Sequence, residues 1–139
     1  MNITEKILAR ASDQNTVSPD DVIFAKVDKV MIHDVSGPGV IKVFDKLKNQ
    51  GIDTTKLYDA SKVWVAEDHF VPTAEKISAE NIVKLSEFTH EYGIKKHFKY
   101  GMGQYGICHT LSHEEALVSP CLLYTSPSPR DATLSRMTS

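Results

Sequence analysis

A chain of 139 residues, 41% hydrophobic and 24% charged, can bury one modest core and is expected to form a single domain or part of one. Its formal net charge is -2, and Lys and Arg neither exceed the acids nor crowd into one run, which argues against a nucleic-acid partner. No apolar run approaches the ~20 residues a bilayer span needs, and the N-terminus lacks a signal-peptide layout; no membrane partner and a cytoplasmic address are expected.

Ile3-Thr4 opens a short helix, with Thr4 the expected cap and Ile3 and Leu8 placed for a hydrophobic staple. Ser18-Pro19-Asp20-Asp21 is a turn, and Val22-Ile23-Phe24-Ala25 reads as a buried strand. A second apolar run, Val30-Met31-Ile32, ends in His33-Asp34 before Val35-Ser36-Gly37-Pro38-Gly39 breaks regular structure. Val40, Val43, Phe44 and Leu47 recur at helical spacing, with Gly51 where the helix would close. Lys62 to Ala66 is a short strand, and Pro72 keeps Asp68 and His69 in a strand end or loop. Ser78 is the expected cap of a helix whose apolar stripe is Ile82, Leu85, Phe88 and Tyr92. Ile94 to Tyr100 reads as a strand, and the basic stretch Lys95-Lys96-His97-Phe98-Lys99 as a solvated element end. After a glycine-rich stretch, Tyr105-Gly106-Ile107-Cys108 runs into His109. Helices alternating with short strands predict an α/β layer fold with a mainly parallel sheet.

Three apolar runs thus end at histidines: His33 beside Asp34, His69 beside Asp68, and His109. Parallel strands deliver their last residues to one edge, where ligands bind in open α/β sheets. A histidine at a strand end beside a carboxylate can serve as a general acid near neutral pH. Taken alone, Asp68-His69 also reads as a polar loop, and His33-Asp34 as a turn; their common phase favours a shared site. His90, His97 and His113 lack that context. A zinc site from His33, His69 and His109 would use suitable donors, but their spacing matches no local zinc motif. Cys108 and Cys121 form neither a metal spacing nor a disulfide framework. As adjacent strand residues, Cys108 and His109 would point to opposite faces, against a thiolate–imidazole pair.

From Cys121 the character changes, with no helical or strand period and the segment Ser126-Pro127-Ser128-Pro129. This peptide resembles a short-read library adapter translated in frame. Residues 1–120 are therefore expected to be the biological sequence, part of a larger domain, and 121–139 a non-native or disordered tail.

The segments Ile3-Thr4-Glu5-Lys6-Ile7-Leu8-Ala9, Met31 to Gly39, Val63 to Pro72 and Gly106-Ile107-Cys108-His109 together resemble the start of the large subunit of 3-isopropylmalate dehydratase, in the aconitase superfamily. The resemblance covers essentially residues 1–120. It implies a three-layer α/β/α domain, here truncated, and a hydro-lyase of leucine biosynthesis that interconverts 2- and 3-isopropylmalate by dehydration and rehydration. It further implies a 4Fe–4S cluster in the full-length protein and a separate small subunit as partner. The substrate class is a small hydroxy-di- or tricarboxylate. Carried over by motif, Asp68-His69 matches the pair that protonates the departing hydroxyl, with Asp68 orienting the ring. His109 matches a histidine near the cluster, and His33, with Asp34, sits at the substrate-carboxylate contact. The family's Asp-Ser-His motif, its cluster cysteines and the base for the carbon-bound proton are not present in this sequence. The chain alone is therefore expected to hold no metal and to be inactive. An aconitase, homoaconitase or dimethylmalate dehydratase type of hydro-lyase is the alternative within the superfamily. A non-catalytic α/β binding module is the alternative outside it.

Overall fold

The computed structural model describes residues 1–118 and the backbone of 124–125. The tail expected at 121–139 lies outside the described residues except for those two backbone positions. In chain order the elements are α1 (Ile3–Ala11), β1 (Lys29–His33), α2 (Gly37–Asn49), β2 (Val63–Ala66), α3 (Lys76–Glu91), β3 (Lys96–Phe98), α4 (Cys108–Glu114) and β4 (Tyr124–Thr125). They build an all-parallel sheet in the order β3-β2-β1-β4. Val30 pairs with Val63 and His33 with Ala66, while Trp64 pairs with Lys96 and Ala66 with Phe98. All strands therefore end toward the same rim.

Period-2 alternation divides the strand residues between two faces. Ile32, Val63 and Val65 pack with Leu85, Phe88 and Ile94, and Val40, Ile41 and Phe44 of α2 join them. Phe44 meets Phe88 and Tyr92 edge-on, at ring separations of 5.3 and 5.2 Å. Met31, Trp64, Ala66 and Phe98 instead pack with Cys108, Leu111 and Leu117. The sheet thus carries α2 and α3 on one face and α4 on the other, an α/β/α arrangement. Gly37, at the start of α2, is the close approach to α3: a Cβ there would lie 2.7 Å from Leu85 Cδ1.

Several local expectations are corrected. Residues 22–25 form no strand; Val22 and Phe24 are 91% and 95% exposed, and no neighbouring strand among the described residues gives them a ladder. Asn2, not Thr4, caps α1, through a reciprocal capping box with Glu5. α3 starts two residues before Ser78, which is buried and donates its hydroxyl to Glu75. In the stretch Lys95–Lys99 the first two lysines are exposed, but the centre is β3, with Phe98 buried in the core. The run before His109 is not a strand either: Cys108 and His109 open α4.

Candidate active site at the strand rim

His33 ends β1 and is buried. The Ser36 N–H donates to its Nδ1 at 3.3 Å, so the ring proton of the neutral form sits on Nε2. Ser36 Oγ also accepts from the His33 N–H at 3.1 Å, which folds the chain sharply out of β1 and into α2. Burial, and next the charge of His69, push the His33 imidazole below its ordinary value; Asp68 and Asp34 oppose this without overcoming it.

Asp34 is fully buried, and its carboxylate is occupied by backbone. It accepts the His69 N–H at 3.2 and 3.1 Å and the Phe70 N–H at 2.6 Å. This ties the loop after β2 to the end of β1. Asp34 is therefore an anchor under the site.

Asp68 follows β2, and its side chain is 3% exposed. One oxygen lies 2.6 Å from His69 Nδ1, and the other accepts the Cys108 N–H at 2.6 Å. Burial pushes this carboxyl up, but the bonds from Cys108 and His69 outweigh it and hold the group below its ordinary value. His69 Nδ1 also lies 3.6 Å from Asp34. With Nδ1 directed at two carboxylates, Nε2 is the ring atom left for a ligand. The His69 side chain is 44% exposed and stacks on His33, with ring centroids 4.7 Å apart.

His109 sits in the first turn of α4, close enough to His33 that its charge contributes to lowering that imidazole. Its Nδ1 is 3.2 Å from Cys108 Sγ. The separation expected for adjacent strand residues is therefore absent, because the pair is helical. Burial and the neighbouring Asp68 push the Cys108 thiol up to about 12, so it stays protonated at neutral pH and is no nucleophile. The five candidate positions thus converge on one rim, with His33 and His69 in ring contact and Asp34 and Asp68 packed beneath.

His33, Asp34 and His69 offer possible metal-ligand atoms within 4.8 Å of one another. Stacked rings direct their lone pairs along near-parallel planes, and Asp34 already accepts backbone donors, so the arrangement suits hydrogen bonding better than coordination. An iron–sulfur cluster takes thiolates. The free cysteine among the described residues is Cys108, buried and protonated, so these residues do not fit a cluster.

Sequence reasoning missed Glu67 and His97, a buried carboxylate and a half-buried imidazole 2.9 Å apart at the same rim. The signal available was the strand period, which puts His97 opposite Val65 and directs its ring away from solvent.

No protein-family profile matches the chain. It is 38% identical over 120 residues to the 3-isopropylmalate dehydratase large subunit of Caldicellulosiruptor saccharolyticus, covering 86% of this chain and 26% of that protein. The same subunit of Aquifex aeolicus is 39% identical over 120 residues, with the same two coverages. The chloroplastic large subunit of Arabidopsis thaliana is 36% identical over 128 residues, covering 86% of this chain and 25% of that protein. The chain spans about a quarter of the length of the curated relatives it matches. Identity at this level across most of the chain, on an α/β fold that gathers the expected histidines and aspartates, makes it a relative of the 3-isopropylmalate dehydratase large subunits.

Proposed function

We propose that this chain is the acid-bearing part of a hydro-lyase that interconverts 2- and 3-isopropylmalate, a step of cytoplasmic leucine biosynthesis. The observation that carries the reading is the 2.6 Å contact between Asp68 and His69 Nδ1. It fixes the ring so that Nε2 can present a proton to a substrate hydroxyl. In dehydration, that proton moves from Nε2 to the hydroxyl oxygen as the carbon–oxygen bond breaks, and the oxygen leaves as water. His33, with its proton on Nε2, donates to a substrate carboxylate. His109 supports the hydroxyl from the α4 side. Asp34 holds the residue 69–70 backbone beside His33 and so shapes the substrate-carboxylate contact assigned to the pair.

The 4Fe–4S cluster, the small subunit and the base for the carbon-bound proton belong, in this reading, to the complete enzyme. The described residues do not fit the cluster, so the chain alone binds small hydroxy-dicarboxylates at its rim and turns none over. An apolar groove of about 450 Å³, lined by Val30, Phe44, Leu57, Tyr58, Val63 and Phe88, supports the view that it is part of a larger domain.

The test is an imidazole-detected NMR titration of the chain with 3-isopropylmalate, alongside iron and sulfide reconstitution. Perturbation of the His33 and His69 ring nitrogens, without cluster absorbance or turnover, is expected. A titration that leaves both rings unmoved would sink the assignment of the rim, and turnover by the chain alone would sink the inactivity.

A further inference from the structure

The connector from β3 to α4, residues 99–107, has no regular structure and includes Gly101 and Gly103 at φ of +80° and +81°. Two consecutive residues of the β2 end grip its two ends. Glu67, 1% exposed, accepts the Tyr100 N–H on Oε2 at 3.2 Å, and its Oε1 lies 2.9 Å from His97 Nε2. Asp68 accepts the Cys108 N–H at the far end. Along the connector, Lys99 Nζ donates to Ser86 Oγ at 3.0 Å, Met102 N–H closes a turn on Lys99 O, the Tyr100 and Tyr105 rings meet edge-on at 5.1 Å, and the Tyr105 hydroxyl makes one long contact to Val71 O at 3.5 Å. Glu67 itself is locked in place: its N–H donates to Phe98 O, extending the β2–β3 ladder by one residue.

We propose that Glu67 and His97 are positioning residues, a clamp that fixes the start of this connector and thereby the place of α4 and His109 at the rim. This rests on the reading of the rim given above, but concerns the sheet face opposite Asp68. A carboxylate that accepts from an imidazole N–H and a main-chain N–H at once is satisfied only when β3 and the connector hold one relative position. His97 in turn keeps its proton on Nε2, directed at Glu67. Without the carboxylate the Tyr100 N–H loses its acceptor, and the glycine-containing connector is free to take other paths.

The clamp is tested in the full chain with Cys121→Ser, so that Cys108 is the reporting thiol. Glu67→Ala is expected to raise amide exchange across residues 100–107, and the reactivity of Cys108 toward a thiol reagent, by about tenfold or more, the scale of one lost charge-assisted hydrogen bond. Glu67→Gln is expected to restore most of the protection, because its amide oxygen still accepts the Tyr100 N–H. It should also move the His97 proton to Nδ1, visible in the imidazole ¹⁵N shifts, since its amide NH₂ then faces Nε2. Should Glu67→Ala fail to fold, the His97 tautomer in Glu67→Gln decides. Exchange and thiol reactivity within about twofold of the parent, or an unchanged His97 tautomer, overturns the clamp. In Glu67→Gln, where the connector stays protected, the His69–Asp68 ring signature read in the same spectra stays unperturbed and reports the proposed acid separately.

Discussion

At the residue scale, the rim is organised by carboxylates that differ in their tasks. Asp34 spends its acceptor capacity on the His69 and Phe70 N–H groups, whereas Asp68 divides its oxygens between an imidazole and the first turn of α4. Asp34→Ala takes the carboxylate acceptor from the His69 and Phe70 N–H groups, and a loss of about 1.5–3 kcal/mol of stability, the scale of a hydrogen bond to a charged group, is expected in denaturant unfolding. Asp68→Asn keeps an acceptor for Cys108 but loses the charge that fixes the His69 ring. Binding of 3-isopropylmalate, followed by calorimetry, should weaken by about tenfold. A variant that binds as tightly as the parent would mean that the ring needs no carboxylate. His33 and His69 could be found in sequence because each sits beside an acid after an apolar run. Which acid serves which histidine could not, since Asp34 bonds a residue 35 positions away.

At the element scale, the strands and helices that were legible are those with a strong period and a partner to pack against. α2 and α3 follow their apolar stripes and meet over β1 and β2. The Val22–Ala25 segment has strand composition but no neighbour, and a strand without a ladder is not a stable element. α4 was hidden because Ile107, Cys108 and His109 carry no helical stripe of their own; the helix exists because Leu111 and Cys108 fill the face that Trp64 and Phe98 present. Gly37→Ala should cost about 1–3 kcal/mol in thermal or denaturant melts, since a methyl there runs into Leu85 unless α2 shifts. Asn2→Ala removes the reciprocal cap of α1 and should cost about 1 kcal/mol.

Across the whole molecule, pH couples the site to stability. His33 is held below its ordinary value near 6.5, so the unfolded chain binds more protons than the folded one just below that pH. Asp68, held below 3.8, does the same in the carboxylate range. Both groups therefore make the fold less stable in acid than at neutral pH, His33 because its buried ring resists protonation and Asp68 because it loses its bonded charge, so melting temperature should fall as pH drops below about 6.5 and again below about 4. His33→Gln should abolish the upper step; a step that survives in this variant would assign it to another group. Among the described residues no helix is long and apolar enough to cross a membrane. The exposed Phe24 and Tyr58, with the apolar groove beside β1, predict strong binding of a hydrophobic fluorescent dye to the native chain.

Read alone, the 139 residues determined the alternation of helix and strand, the parallel sheet, and the histidines that end near its rim, because period, glycine breaks and local acid neighbours are short-range properties. Tertiary structure decided the pairings: Asp34 under His69, Asp68 on α4, Glu67 on His97, and the failure of residues 22–25 to become a strand. Each of these joins groups some 30 to 40 residues apart or depends on whether a neighbouring strand is present, and hydrogen-bond satisfaction across such distances leaves no local trace in sequence.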